Sequence, residues 1–155
     1  MLKSTLLQAV DAAAAVIRGF DEQDFKISNK EGINNLVTEV DHASEKAIID
    51  VIKGAYPDHF ILSEEAGALA QDSEYKWIID PIDGTVNFAH RIPLCCISIG
   101  IEHKGQMIMG AVYNPYMNEL FFAERGKGAT LNDKPISVSK KEKVEVACLV
   151  TGFPY

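Results

Sequence analysis

Two carboxylates three residues apart, Asp80 and Asp83, stand where an apolar run of the sequence ends. Pro81 lies between them and cannot donate a ladder hydrogen bond, so a strand should stop there and the chain should turn sharply. Both carboxylates can then converge on one point beyond the strand, with the carbonyl oxygen of Ile82 as a further ligand. Magnesium prefers oxygen ligands and readily shares carboxylates with a phosphate group. The segment therefore indicates a magnesium site.

The next two residues, Gly84 and Thr85, are predicted to open a short helix. Backbone N–H groups at the positive end of a helix bind phosphate oxygens, so this position suits a phosphate ester. Asp-Gly is also a common turn dipeptide. Taken alone, the segment is explained equally well as an ordinary surface turn.

Two further acidic segments are candidates for the same site. Glu64 and Glu65 follow another apolar run, and Glu64 can lie beside Asp80 if both runs are strands of one sheet. Adjacent glutamates repel each other, so burying either one requires a cation. The alternative for this pair is solvated surface charge. Thr38 and Asp41 form the third segment, which a helix cap explains without any catalytic role.

Two kinds of element must position these residues. Apolar residues at helical spacing predict a helix over residues 2–20, and the capping pattern at Thr38 begins a second helix that Gly54 ends. The polar residues 21–35 are predicted to be a loop. Strand-like apolar runs, separated by turn signals, occupy residues 59–63, 75–80, 95–102, 107–113, 119–124, 129–131 and 144–150. This order predicts an α+β fold with two helices on one face of a mostly antiparallel sheet.

Composition argues against several classes of partner. The chain has 155 residues and a formal net charge of −7, which disfavours nucleic acid and anionic membrane surfaces. An acidic chain that binds phosphate needs cations to cancel the repulsion. The three cysteines, Cys95, Cys96 and Cys148, are odd in number, and two are adjacent in an apolar run. Buried thiols of a reducing compartment fit this pattern best, so a cytoplasmic protein is predicted.

Together, the three acidic segments resemble the inositol monophosphatase family of lithium-sensitive, magnesium-dependent phosphatases. That family carries a valine-threonine-x-x-aspartate element, then paired glutamates, then aspartate-proline-isoleucine/leucine-aspartate-glycine-threonine. The same elements stand here in the same order, at Val37–Asp41, Glu64–Glu65 and Asp80–Thr85. The resemblance runs on through the segments 110–115 and 151–154, so it covers nearly the whole chain.

The resemblance implies a magnesium centre of two or three ions. Glu64, Asp80 and the carbonyl of Ile82 match the ligands of the first metal. Asp80 and Asp83 match ligands of the second, with Asp80 bridging. Asp83 also matches a residue that contacts a hydroxyl group of the substrate. Glu65 matches a position close to the metals.

The resemblance also implies catalytic roles. Glu64 and Thr85 match the pair that orients and deprotonates the attacking water, and Asp41 matches the residue that supports Thr85. Gly84 and Thr85 match the phosphate-binding amides. The implied reaction is that of an inositol-1-monophosphatase: direct in-line attack of metal-activated water on the phosphorus of an inositol phosphate or another small phosphorylated polyol or sugar, without a phosphoenzyme.

Members of the family are longer than this chain. Residues 1–155 are therefore expected to be an N-terminal metal-binding α+β domain, the first part of a layered αβαβα sandwich whose C-terminal part is absent from this sequence. The resemblance further implies a homo-oligomer, a dimer. Alternatives within the superfamily are a phosphatase for fructose bisphosphate, nucleotide 3′-phosphate or histidinol phosphate. An alternative of another class is a truncated, inactive half-domain.

Overall fold

Two long helices carry much of the first third of the chain. The computed structural model describes residues 1–20, 26–29, 36–69 and 72–151. It places helix α1 at Leu2–Gly19 and helix α2 at Glu39–Ala55, so both helix predictions are confirmed to within one or two residues. The buried face of α1 repeats every three or four residues, with Leu6, Val10 and Ile17 fully inside.

A short ladder precedes α2. Strand β1, Ile27–Asn29, pairs antiparallel with strand β2, Leu36–Thr38. The loop prediction is therefore wrong at residues 27–29, because pairing with a partner strand decides the conformation of a polar segment whose own propensity is weak. Residues 21–25 and 30–35 of that predicted loop lie outside the described residues.

One large sheet forms the rest of the fold, and a short helix, α3 at Thr85–Ala89, follows its third strand. The strands are β3 Phe60–Ser63, β4 Gly67–Leu69, β5 Tyr75–Asp83, β6 Cys96–His103, β7 Gln106–Asn114, β8 Glu119–Glu124, β9 Gly128–Leu131 and β10 Lys134–Ile136. Their order in the sheet is β10-β9-β8-β7-β6-β5-β3-β4. Every neighbouring pair is antiparallel except β3 and β5, which run parallel. The predicted α+β class with a mostly antiparallel sheet is confirmed.

The core lies between the helices and one face of this sheet. Helix α1 packs on α2 and contacts β6 and β7, while α2 contacts β5. Alternate residues of the central strands point to this layer, among them Trp77, Ile99 and Ile101, which are almost fully buried. The opposite face keeps apolar side chains partly exposed, including Val112 and Phe121.

Other strand assignments also differ from the sequence prediction. Strands β4 and β10 are short, lie at the two edges of the sheet and were not predicted. The strand predicted for residues 144–150 is wrong, since Val144–Val146 is a single 3₁₀ turn and Leu149 and Val150 are exposed. No other described strand pairs with this segment, and an extended chain becomes a strand only when a neighbour accepts its hydrogen bonds.

The cysteine prediction holds in part. All three cysteines are free thiols, and Cys95 is buried as expected, but Cys96 is only half-buried and Cys148 is exposed. No helix in the described part of the chain combines the length and apolarity needed to cross a membrane.

Candidate metal and phosphate site

Parallel pairing of β3 with β5 brings two acidic segments to the same end of the sheet. Ser63 is the register partner of Ile79, so the residues that follow them, Glu64 and Asp80, lie side by side. The N–H group of Glu64 also donates to the carbonyl oxygen of Ile79 at 3.1 Å. The shared sheet that the sequence argument required is therefore present.

A bulge at the end of β5 turns the chain between the two aspartates. Asp80 pairs with Ser98 and Asp83 with Cys96, so three steps along β5 match two steps along β6. The strand thus continues past Pro81 to Asp83 instead of ending at Asp80 as predicted. Such an extra residue re-aims side chains beside functional sites. Here the N–H group of the buried Ile82 donates to Oδ1 of Asp80 at 3.1 Å.

The carboxylates of Glu64, Asp80 and Asp83 act on one another electrostatically. Burial, together with the nearby negative charges of Glu64 and Asp83, raises the pKa of Asp80 to about 7. Excess negative charge of this kind is what a cation relieves. The donors are carboxylate and carbonyl oxygens, the atoms that magnesium binds, so the residues fit this metal. Within the described ranges, no three Asp, Glu, His or Cys side chains already stand at metal-holding distances, and a cation would have to draw these repelling groups together.

Asp41 performs two tasks with its two oxygen atoms. Oδ2 accepts from the N–H group of Thr38 at 2.8 Å and lies 2.5 Å from the Thr38 hydroxyl, which completes the predicted capping box of α2. Oδ1 lies 3.1 Å from the hydroxyl of Thr85. Burial raises the pKa of Asp41, although hydrogen bonds from Thr38 and Thr85 oppose that shift. The helix cap and the contact with Thr85 that a functional role would require therefore coexist in Asp41.

The hydroxyl of Thr85 lies between two acceptors. Besides Asp41, the carbonyl oxygen of Ile82 is 3.0 Å away. A threonine hydroxyl has one proton to donate and two lone pairs to offer. When that proton goes to Asp41, the oxygen of Thr85 can accept a hydrogen bond from a water molecule in the site.

Gly84 adopts a backbone conformation that few other residues tolerate. Its φ of +89° and ψ of +37° are left-handed, and it caps α3 at the N-terminal side. A Cβ atom at this position would lie 3.0 Å from the carbonyl oxygen of Leu94. The first N–H groups of a helix have no partner within the helix. The predicted short helix is confirmed, and those of Gly84 and Thr85 stand at its start.

A cavity of about 740 Å³ opens beside Asp83 and Gly84. Asn87, Cys96 and Asn114 are among the residues that line it. The thiol of Cys96 donates to Oδ2 of Asp83 at 3.7 Å, and burial and the charge of Asp83 raise the pKa of that thiol to about 12. The cavity is large enough for a small ligand. Glu65 is half-buried in the turn after β3, next to Glu64.

Sequence reasoning missed two residues that touch the segments of this site. Ser44 and Glu45 are polar but buried, and they contact the end of β5 and the turn after β3, respectively. A signal for them exists in the sequence. Ser44 lies three residues after Asp41 and four before Ile48, and Glu45 lies four after Asp41 and three before Ile48. Both therefore fall on the stripe of α2 that faces the core.

Comparisons with known proteins agree with the motifs. Residues 2–155 match the inositol monophosphatase family. The chain is 43% identical over 156 residues to the Nus factor SuhB of Pasteurella multocida, covering 100% of this chain and 58% of that protein. It is 46% identical over 149 residues to the inositol-1-monophosphatase of Synechocystis, covering 96% of this chain and 52% of that protein. The crystal structure of the extragenic suppressor protein suhB from Bartonella henselae superposes with a TM-score of 0.84 at 36% identity, over 90% of this chain and 55% of that chain. The chain thus spans little more than half the length of these relatives.

Proposed function

We propose that this chain, which belongs to the inositol monophosphatase family, forms the metal-binding part of a magnesium-dependent phosphomonoesterase. The observation that carries the proposal is the meeting of three segments at one end of the sheet. Glu64, Asp80 and Asp83 provide carboxylates, and Thr85 with Asp41 provides a proton path beside them. Inositol monophosphate is the first substrate to test, because one relative at 46% identity is an inositol-1-monophosphatase.

The donor atoms divide between two metal positions. Glu64, Asp80 and the carbonyl oxygen of Ile82 would hold the first magnesium ion, and Asp80 and Asp83 would contribute to the second. Magnesium at these positions would activate water and neutralise charge on the phosphate group. The carbonyl of Ile82 is free to ligate when Thr85 donates its one hydroxyl proton to Asp41.

The protein's own groups orient the water and move its proton. The hydroxyl of Thr85 donates to Asp41, which leaves its oxygen free to accept from the attacking water. Glu64, which follows the neighbouring strand β3 at the same end of the sheet, takes a proton from that water. The N–H groups of Gly84 and Thr85 bind phosphate oxygens, where their partial positive charge stabilises the charge that develops during transfer.

The polyol part of the substrate is assigned to the cavity next to Asp83. A carboxylate accepts hydrogen bonds from sugar hydroxyls, and Asn87 and Asn114 add amide groups to the same walls. Fructose bisphosphate, nucleotide 3′-phosphates and histidinol phosphate present similar chemistry and are the substrates to compare.

The length of the relatives bears on the extent of the site. Because the chain covers 52–58% of the two proteins named above, we propose that residues 1–155 form the N-terminal metal-binding domain of such an enzyme. The rest of the second metal site and of the pocket would then come from a C-terminal part. Lithium inhibition, assembly as a dimer and a cytoplasmic location are further properties that the family resemblance proposes for the whole protein.

Substitution of Asp80 tests the proposal directly. In the full-length protein, Asp80→Asn keeps the size of the side chain but removes the charge that both metals would share, so hydrolysis of inositol monophosphate in magnesium should fall at least about a thousandfold, a few kcal/mol of transition-state stabilisation. Asp50→Asn, on the exposed face of α2, is the matched control and should retain the wild-type rate. Phosphate release and circular dichroism are measured together. An Asp80→Asn protein with the wild-type rate at saturating magnesium would refute the assignment.

A second candidate function comes from the relative named Nus factor, which aligns with the whole chain at 43% identity. We propose that such a Nus factor role would be exerted through the surface of the protein and would not require the carboxylates of Glu64, Asp80 and Asp83. Asp80→Asn separates the two, since it should abolish hydrolysis and leave a surface-mediated role intact.

A further inference from the structure

Helix α2 buries polar side chains where a core helix normally buries apolar ones. Ser44 is 0% exposed and Glu45 is 7% exposed, and both lie between the buried residues Val40 and Ile48. Burying a carboxyl group costs free energy unless it is hydrogen-bonded. The contacts of these two side chains therefore indicate what they do.

Glu45 holds both ends of the turn that carries the paired glutamates. Its Oε1 atom accepts a hydrogen bond from the hydroxyl of Ser63 and another from the N–H group of Ala66 at 2.8 Å. Glu64 and Glu65 are the two residues between these contacts. On the other side, the N–H group of Glu64 is bonded to β5. The turn is thus fixed from the helix and from the sheet.

Ser44 holds the second acidic segment in the same way. Its hydroxyl donates to the carbonyl oxygen of Pro81 at 3.1 Å. Pro81 stands between Asp80 and Ile82, inside the bulge of β5. Together with Asp41, which reaches Thr85, these polar residues on one face of α2 contact the other two acidic segments of the site.

We propose that Glu45 and Ser44 are positioning residues that set the geometry of the metal ligands from behind. This inference rests on the proposed function, since it concerns the same carboxylates. Groups that hydrogen-bond to a ligand segment fix the orientation of the ligands, and losing them typically lowers metal affinity about 10–100-fold. Glu45 acts on Glu64 through the turn after β3, and Ser44 acts on Asp80 through the carbonyl of Pro81.

Metal titration of matched variants tests the inference without an activity assay. Mn²⁺ replaces magnesium as the probe, and its binding is followed by calorimetry and electron paramagnetic resonance. Glu45→Leu fills a similar volume but accepts no hydrogen bond, so Mn²⁺ affinity should fall at least about tenfold. Glu45→Gln keeps an acceptor for Ala66 and should recover most of that loss. Asp50→Leu removes a carboxylate from the exposed side of the same helix and should bind Mn²⁺ like the wild type.

A second readout reports on the turn itself. Hydrogen exchange at the N–H group of Ala66 should become faster in Glu45→Leu and stay slow in Glu45→Gln and Asp50→Leu. The reason is that this N–H group is protected by the hydrogen bond that it donates to the side chain at position 45. If Glu45→Leu fails to fold, Ser44→Ala decides, since it deletes only one hydroxyl group. It should fold and bind Mn²⁺ about fivefold more weakly, the cost of one neutral hydrogen bond.

The outcomes distinguish this inference from the function on which it rests. A wild-type chain that binds no Mn²⁺ overturns both. Wild-type binding that stays unchanged in Glu45→Leu, or in Ser44→Ala where the former is unfolded, overturns the positioning role alone. Weaker binding in Glu45→Leu that Glu45→Gln recovers supports it.

Discussion

Replacing Gly84 by alanine should destabilise the protein by about 3 kcal/mol, from two separable causes. The left-handed conformation of Gly84 costs an alanine about 1–2 kcal/mol. The new methyl group would also stand 3.0 Å from the carbonyl oxygen of Leu94 and 3.4 Å from Cys95, an overpacking cost of about 1–3 kcal/mol. The carbonyl group of Leu94 cannot move away without cost, because its oxygen accepts a hydrogen bond from the side-chain amide of Asn87 at 2.8 Å.

Gly126 is the internal control for this experiment. Its φ of +77° is also left-handed, but a Cβ atom there meets nothing within 4 Å. Gly126→Ala should therefore show the conformational cost without the contact. Both substitutions lower the entropy of the unfolded chain equally, so that effect cancels in the comparison.

Urea unfolding of Gly84→Ala and Gly126→Ala measures the difference between their free energies of unfolding directly. The free energy of unfolding should be about 1–3 kcal/mol lower for Gly84→Ala than for Gly126→Ala, at unchanged slope against urea. Phosphatase activity should fall only in Gly84→Ala, since Thr85 follows directly. Equal stabilities in the two variants would show that Leu94 does not restrain Gly84, and the close approach described above would be refuted.

Two further predictions concern Thr85 and His59. Thr85→Ala should lower kcat about a hundredfold at saturating magnesium, the usual size of general-base assistance, and Thr85→Ser should restore most of it; an equal loss in both would argue against the hydroxyl. His59 accepts from the indole N–H group of Trp77 at 2.9 Å, and burial lowers its pKa below the ordinary 6.5. The unfolded chain therefore binds this proton more readily, so His59 lowers the free energy of unfolding as pH falls from about 7 towards 5, while the raised pKa of Asp80 acts in the opposite direction. In urea titrations the free energy of unfolding of His59→Gln should rise relative to that of the wild type as pH falls over this range, whereas that of the exposed His90→Gln should not; parallel curves for wild type and His59→Gln would contradict the assignment.

Local patterns predicted the helices and the central strands because their signals lie within one element. The stripe of α1 and the capping box at Thr38 need only neighbouring residues. Residues 144–150 show the limit of this reasoning. Their apolar pattern favours a strand, but a strand depends on a partner elsewhere in the chain, and a pattern within one segment does not report that partner.

The carboxylate site depends on the pairing of strand β3 with strand β5. From the sequence, this pairing could be given only as a condition for Glu64 to lie beside Asp80. Asp80 and Asp83 are close in sequence, but Glu64 joins them only because β3 runs parallel to β5. An antiparallel pairing of the same two strands would have sent the turn after β3 to the other end of the sheet. The residue types alone indicated the chemistry of these side chains. Whether the side chains come together was decided by the direction of strand β3 relative to β5.

Ser44 and Glu45 show that interpreting a helix only as a core element can miss residues with a further role. The buried stripe of α2 holds Ile48 and Ile52, and towards the N-terminus it continues through the polar residues at positions 45, 44 and 41. A polar residue at a core position is costly, so it calls for a partner. Extending the stripe backwards through positions 45, 44 and 41 would have identified the positioning face.

The contacts that Ser44 and Glu45 make with the acidic segments go to the backbone and to Ser63, and not to the carboxylates of the site. Glu64 and Asp83 repel the charge of Asp80, and this repulsion adds to burial in raising the pKa of Asp80 to about 7. A lysine or arginine in their midst would relieve it but would compete with the cation for the same oxygens. Hydroxyl and backbone N–H groups, such as those of Ser44 and Glu64, fix the segments without neutralising the carboxylates. The fold thereby keeps these acidic groups close together, and the free energy of that unfavourable arrangement is what binding a divalent cation can recover.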